Sequence, residues 1–99
     1  MAAYVVVEVL ITNEEEYEKY KPLASASVAA HGGSYKVRGG AVDSLEGDAV
    51  EGRIVVLEFP DLERARRWYR SDEYRAALSL RQAAARSRLF IVDGCETSS

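Results

Sequence analysis

The stretch that decides the fold is YVVVEVLI, residues 4–11, whose β-branched side chains indicate a strand. Because side chains alternate between the two faces of a strand, one face is an unbroken row of three valines and an isoleucine. The opposite face carries Tyr4, Val6, Glu8 and Leu10, and only Glu8 is charged. Since both faces are apolar, we expect helices to cover one side of the sheet and a second protein surface to cover the other.

The segment RIVVLEF, residues 53–59, repeats this pattern, and Glu58 is the one carboxylate on its outward face. The preceding segment, residues 34–47, is also predicted to have an extended conformation. Gly39 and Gly40 interrupt it in the manner of a β-bulge. The short turn DAVEG then joins it to the third strand, so these two strands are expected to form a hairpin.

A helix is predicted between the first two strands, beginning at Thr12 or Asn13. Its buried stripe recurs at helical spacing and consists of Tyr17, Tyr20, Ala24 and Val28. Pro22 is expected to kink the helix. His31 lies in the last turn before a pair of glycines that end the helix. Because the helix dipole favours a histidine there, we interpret His31 as an architectural residue.

Helical spacing returns after the third strand, starting at Asp61 and again at Ser71 or Asp72. The residues LFIVD, 89–93, are predicted to form the last strand. The order β-α-β-β-α-β is that of an α+β, ferredoxin-like fold, a four-stranded antiparallel sheet with its helices on one face. We expect one domain over residues 1–94 and a frayed tail over residues 95–99.

The outward faces of the first and third strands are too apolar to remain in water, so we expect a two-fold homodimer that pairs sheet to sheet. The two sheets would enclose a lumen into which Glu8 and Glu58 point. We expect these strands to be adjacent and parallel, which would place the two carboxylates about 5–7 Å apart. Like charges that close raise one pKa, unless a cation intervenes.

Arg38 is the predicted cation of this lumen. Tyr35 and Val37 are assigned to the helix side of the second strand, which leaves Lys36 and Arg38 on the lumen side. The planar guanidinium suits a two-pronged contact to Glu58 or to an anionic ligand. Both interpretations stay open, an ion pair within the interface and a ligand-binding arginine.

Composition excludes several classes of function. The net charge of -3 gives no reason to expect nucleic-acid binding, and no apolar run is long enough to span a membrane. With one histidine and one cysteine the chain has no metal-ligand spacing, so we expect no metal and no cofactor. The single cysteine, Cys95, excludes an internal disulfide and fits a cytoplasmic location.

The chain resembles the family known as domain of unknown function 1330 over nearly all of residues 4–94. The likeness rests on the order and spacing of HGGSYKVRGG, LEGDAVEGRIVVLEFPD and WYRSDEYRAALSLRQAAARS, followed by FIVDG. It implies a dimeric α+β barrel and no established reaction. The wider superfamily includes cofactor-free monooxygenases, isomerases, haem enzymes and ligand-binding modules, so the fold does not select among them. The positions matched to the family pattern are Arg38 with Gly39 and Gly40, Glu46 with Gly47, Glu58 with Phe59, and Tyr74 after Ser71.

Three functions remain open from the sequence. In the first, a cofactor-independent enzyme uses Glu58 or Glu8 as general base, while Arg38 holds an anionic group or enolate of a small organic acid or aromatic. Tyr4 and Lys36 complete its pocket. In the second, a binding module uses the same pocket for a small anionic ligand without catalysis. In the third, the dimer is purely structural.

Overall fold

A computed structural model describes residues 1–95 of the chain. Four strands form one sheet in the order β2-β3-β1-β4, and every neighbouring pair is antiparallel. The elements are β1 (Ala3–Ile11), α1 (Glu14–Ala30), β2 (Ser34–Arg38), β3 (Arg53–Phe59), α2 (Leu62–Arg70), α3 (Asp72–Ala84) and β4 (Ala85–Asp93). The predicted ferredoxin-like class is confirmed, with one helix more than predicted. No helix within residues 1–95 is long and apolar enough to cross a membrane.

The two faces of β1 are as the alternation predicts. Val5, Val7 and Val9 are buried under the helices, whereas Tyr4 and the other outward residues of β1 are half-buried. The core continues into the helices through a group of packed aromatic rings: Phe59, Trp68, Tyr69, Tyr74, Tyr20 and Tyr17. The helix side of the sheet is therefore the core of the chain.

The ends of α1 follow its sequence signals. Asn13 caps the helix by accepting a hydrogen bond from the Glu16 amide at 3.2 Å. The helix then runs through Pro22, which is exposed, and ends with His31 as its C-cap. Gly32 follows with φ 77°, the left-handed conformation that glycine adopts without strain.

The second helical region divides into two helices at Ser71. Ser71 has extended backbone angles, so α2 ends there, and its hydroxyl accepts a hydrogen bond from the Tyr74 amide to begin α3. The element order is therefore β-α-β-β-α-α-β, not the predicted β-α-β-β-α-β. Asp61 caps α2 as predicted, accepting a hydrogen bond from the Arg64 amide at 2.7 Å.

Two strand boundaries differ from the prediction. β4 begins at Ala85 rather than at residue 89, because β1 pairs with it along its whole length, as far as Ile11 opposite Ala85. β2 ends at Arg38, and residues 39–52 form neither helix nor strand. The predicted hairpin of β2 and β3 is present, but a long loop joins the two strands instead of a short turn. Of the predicted tail, residues 96–99 lie outside the described residues.

The β-bulge lies earlier in β2 than predicted. Tyr35 pairs with Leu57 and Val37 with Val56, so Lys36 is the extra residue and the bulge is not at the glycine pair. An extra residue reverses the alternation of every side chain beyond it. Arg38 therefore shares the helix face of the sheet with its pairing partner Val55.

Candidate functional site

The two glutamates of the predicted site are far apart. Because β1 and β3 are antiparallel, Glu58 lies opposite Tyr4, whereas Glu8 lies opposite Ile54. Four residues along a strand separate the two positions by about 13 Å, so the predicted pair of adjacent carboxylates is wrong. The assumption of parallel strands caused the error, since the ferredoxin-like sheet is antiparallel throughout.

Each glutamate has a cation of its own on the outer face of the sheet. Lys36 Nζ lies 3.4 Å from Glu58 Oε1, and Arg88 Nε donates to Glu8 Oε1 at 2.9 Å. The hydrogen bond from Arg88 to Glu8 raises the pKa of that guanidinium. Lys36, Glu58 and Tyr4 thus form one small polar cluster, and Glu8 belongs to another.

Arg38 belongs to neither cluster. The bulge directs it to the helix side, where its Nη2 donates to Ser25 Oγ of α1 at 3.3 Å. Its guanidinium carbon lies 4.1 Å from the centre of the Tyr35 ring, a cation–π contact. The prediction that Arg38 faces the sheet's outer surface beside Glu58 is therefore wrong.

Arg38 lies instead at the mouth of a cleft between α1 and the sheet. Apolar residues of β1, β3 and α1 form its floor and walls, with Trp68 on one side. Its polar lining consists of three tyrosines and three cations: Tyr17, Tyr20, Tyr35, Lys21, Arg38 and Arg53. The cavity of about 30 Å³ has room for about two water molecules. No aspartate or glutamate lines this cleft among residues 1–95.

Arg53 is the residue that places a second cation beside Arg38. Arg38 pairs with Val55, so Arg53 is its diagonal neighbour on the same face, with Cα atoms about 7–8 Å apart. The Nε atom of Arg53 is buried and has no hydrogen-bond partner among residues 1–95. An unpaired buried donor is costly, so this atom is open to an acceptor from a ligand or from water.

Tyr17 and Tyr20 form the inner wall of the cleft. Burial raises the pKa of the Tyr17 phenol, and the nearby charge of Arg53 opposes this effect. Burial also raises the pKa of Tyr20, whose hydroxyl lies 3.1 Å from that of Tyr74. Both phenols are therefore neutral at physiological pH, and they act as hydrogen-bonding groups.

The cleft was missed by sequence reasoning, although one signal for it is visible. Arg53 lies on the same face of β3 as Val55 and Leu57, because side chains alternate along a strand. It is therefore a charged residue at the end of an apolar row that faces the core. Tyr17 and Tyr20 were identified as buried stripe residues, and nothing local shows that they border an opening.

Two other features lie outside the cleft. His31 Nε2 is hydrogen-bonded to Glu73 Oε1 of α3 at 3.0 Å, so the helix cap also joins α1 to α3.

On the outer face, an open groove of about 610 Å³ runs between β4 and residues 48–51, with Arg86 and Arg88 along it. The groove also contains acidic side chains, so it has no dominant charge.

Comparisons with solved structures place this fold among known proteins. The protein of unknown function RPA0582 from Rhodopseudomonas palustris superposes with a TM-score of 0.78 at 21% identity, over 97% of this chain and 84% of that one. SnoaB, a cofactor-independent oxygenase from Streptomyces nogalater, gives 0.64 at 14% identity, over 97% and 95% of the two chains. Rv0793 from Mycobacterium tuberculosis gives 0.60 at 13% identity and covers both chains fully. At these identities the similarity shows the fold alone.

Sequence comparison identifies the family. A search of curated proteins finds no significant match. Residues 2–95, nearly the whole chain, match the profile of one family, and the resemblance inferred from the sequence motifs is confirmed. The chain belongs to the family described as domain of unknown function (DUF1330).

Proposed function

We propose that the protein binds a small organic anion in the cleft between α1 and the sheet. The observation that carries this proposal is the convergence of Lys21, Arg38 and Arg53 on a tyrosine-lined cavity without a carboxylate among its described lining residues. Three positive charges around one small opening repel one another. A bound anion relieves this repulsion, so the opening attracts anions.

The two arginines are better placed for a ligand than the lysine. Lys21 Nζ is paired with Glu18 Oε1 at 2.9 Å, so its charge already has a partner. Within residues 1–95, neither Arg38 nor Arg53 has a carboxylate within salt-bridge distance. A carboxylate suits them because the planar guanidinium fork matches its two oxygens.

The walls of the cleft define the rest of the ligand. Four aromatic residues line it, Tyr17, Tyr20, Tyr35 and Trp68, and its other uncharged lining residues are aliphatic. The cavity of about 30 Å³ admits a group no larger than a carboxylate, so an aromatic or short apolar body attached to it would lie at the mouth, beside Tyr35 and the exposed Arg38.

A cofactor-independent enzyme acting on the same class of compound is the second candidate. The similarity in fold to SnoaB, a cofactor-independent oxygenase, favours it. Glu58 or Glu8 would act as general base on the outer face of the sheet, with Lys36 and Tyr4 completing a pocket in the lumen of a dimer. The 3.4 Å approach of Lys36 to Glu58 supports this arrangement, because the ammonium group would also hold an enolate formed there.

We infer that a second copy of the chain covers the outer face. Phe90 and Val92 of β4 are 43% and 46% exposed there, beside the half-buried Val6 and Val56. Apolar side chains gathered on one sheet face usually mark an interface. The same face contains ions of both signs, which suits pairing with an identical surface.

The cytoplasm is the proposed location. Cys95 is the chain's single cysteine and is exposed, so no internal disulfide protects the fold. Such a composition is typical of reducing compartments.

Ligand binding is tested by thermal shift and calorimetry with a panel of small aromatic and aliphatic carboxylates. We expect at least one of them to raise the melting temperature of the wild type, and we expect Arg38→Met and Arg53→Met to weaken its binding. Arg66→Met is the matched control, because Arg66 is an exposed arginine of α2 outside the cleft. If no carboxylate binds, or if Arg66→Met weakens binding equally, the proposal is wrong.

The enzyme candidate has its own test. Oxygen uptake and product formation are measured with each carboxylate that binds, using wild type and Glu58→Gln. Turnover that Glu58→Gln abolishes without loss of folding supports catalysis on the outer face. Binding without turnover leaves the protein a binding module.

A further inference from the structure

A second, wider opening adjoins the cleft at the end of the sheet where α1 begins. It is an open groove of about 480 Å³, within the roughly 300–1,000 Å³ typical of small-molecule sites. The apolar end of β1, three glycines and the charged residues Glu14, Lys21 and Arg53 line it. Lys21 and Arg53 line the cleft as well, so the two openings share these two cations.

The groove offers space for the part of a ligand that the cleft does not hold. A cavity of about 30 Å³ admits a carboxylate and little more. Gly39 directly follows Arg38, which lies at the mouth of the cleft, and a Cβ on the adjacent Gly40 would meet nothing within 4 Å. A body attached to the carboxylate therefore has room to extend from the mouth past these glycines into the groove.

Glu14 is the acidic residue of the groove. It is exposed in the first turn of α1, and within residues 1–95 no cation lies within salt-bridge distance of it. The helix dipole favours acidic residues in that turn, but it acts in the same way on Glu15, which does not line the groove. The dipole thus accounts for the charge of Glu14 but not for its place on the wall of the groove.

The groove combines this carboxylate with a guanidinium that also has no counter-charge. Arg53, at the start of β3, has a buried Nε atom without a partner, and among residues 1–95 no carboxylate, Glu14 included, lies within salt-bridge distance of it. A ligand with a carboxylate alone would satisfy Arg53 and bring a like charge toward Glu14. A ligand that also carries an ammonium group would compensate both residues.

We propose, on the basis of the binding function proposed above, that the ligand is a small amino acid, with its carboxylate at Arg38 and Arg53 and its ammonium group directed to Glu14 in the groove. Lys21 does not compete for the same role, because its charge is paired with Glu18. The apolar end of β1 borders the groove, so an aliphatic or aromatic chain between the two charged ends suits this space.

The test compares ligands of matched size on the wild-type protein by calorimetry. Phenylalanine is compared with 3-phenylpropanoate, and 4-(aminomethyl)benzoate with 4-methylbenzoate, so that each pair differs by one ammonium group. We expect the amino acid of at least one pair to bind about tenfold more tightly than its partner, the effect of one hydrogen bond between charged groups.

The outcomes separate this proposal from the one on which it rests. Equal affinities within both pairs, or tighter binding of the plain acids, would overturn the amino-acid assignment and leave anion binding intact. The same holds if none of the four binds while another carboxylate of the panel does. If no carboxylate binds at all, both proposals are wrong.

Variants identify the ammonium site. We expect Glu14→Gln to lower the affinity for the amino acid to about that of the plain acid, whose own affinity should not change. Glu15→Gln is the matched control, because it removes an exposed charge from the same turn outside the groove. Glu14→Lys should reverse the preference, so that terephthalate binds more tightly than 4-(aminomethyl)benzoate. If Glu14→Gln keeps the full preference, or if Glu15→Gln loses it equally, the ammonium site is wrong.

Discussion

The guanidinium group of Arg53 occupies the space in which a side chain at position 39 would stand. A Cβ built on Gly39 would lie 2.6 Å from Arg53 Nη1, closer than such atoms approach. Gly39 also has φ 76°, and its amide donates to the Ile54 carbonyl at 2.9 Å. A Cβ on Gly40 would meet nothing within 4 Å. The two adjacent glycines therefore have different roles, and Gly39 is the one that leaves room for the Arg53 guanidinium.

Gly39→Ala is expected to displace Arg53 and to strain the backbone. The left-handed conformation costs a non-glycine residue about 1–2 kcal/mol, and the displaced guanidinium should weaken carboxylate binding roughly tenfold. Gly40→Ala, as the matched control, should change neither quantity. Chemical denaturation and calorimetry measure the two effects. Equal affinities in the two variants would show that Gly39 does not position Arg53.

The oligomeric state tests the proposal that a second copy of the chain covers the outer face. Val92→Asp places a charge on an exposed side chain of that face, so it should dissociate the dimer while the monomer stays folded. Val42→Asp is the control, because Val42 is similarly exposed in the loop between β2 and β3. Light scattering gives the mass of each variant. A wild-type mass of one chain at micromolar concentration would contradict the dimer.

Arg38 and Glu58 lie on opposite faces of the sheet, so their substitutions should act independently. We expect Arg38→Met to weaken ligand binding and Glu58→Gln to leave it unchanged. Their effects on the free energy of unfolding should add to within about 0.5 kcal/mol, as is usual for residues without contact. A double-mutant cycle measured by urea denaturation checks this. A coupling well above that value would mean that the two charges are paired after all.

The contact between His31 and Glu73 predicts a small dependence of stability on acid pH. The hydrogen bond from His31 lowers the pKa of Glu73 below its ordinary 4.5. A carboxyl with a lowered pKa in the native state stabilises the fold above pH 4.5, and the effect is lost as the pH falls through the lowered value. In His31→Asn the pKa of Glu73 should return toward 4.5, which carboxyl NMR titration measures directly.

The same variant tests the architectural interpretation of His31. We expect His31→Asn to lower the melting temperature by no more than about 4 °C, because the loss is confined to a half-buried helix end. Ligand binding should be unchanged, since His31 does not line the cleft. Loss of binding at unchanged stability would assign His31 to the site.

The buried tyrosines predict that stability falls at alkaline pH. Burial raises the pKa of Tyr20 and of Tyr74, and each would otherwise ionise near 10.0. Above pH 10 the unfolded chain therefore binds fewer protons than the native chain, so the free energy of unfolding decreases as the pH rises. Urea denaturation at pH 8 and pH 11 measures the change. Unchanged stability, with all six tyrosines ionised by absorbance, would contradict the burial of these phenols.

The secondary structure of this protein is largely determined by local sequence. Alternation in residues 4–11 and 53–59 predicts both faces of β1 and β3, and short-range hydrogen bonds confirm the caps at Asn13, Asp61 and Ser71. Each of these features depends on residues only a few positions apart in the sequence, so it can be predicted from the local sequence alone.

The site was decided by tertiary structure. One unpaired residue, Lys36, turns Arg38 to the helix side, and the antiparallel register of β1 and β3 separates Glu8 from Glu58. Register and bulges depend on which strands meet and how their side chains pack, and neither is encoded at a fixed spacing along the chain. Arg38 and Arg53 are separated by a long loop in the sequence and line one cleft only because β2 pairs with β3 and α1 packs over them.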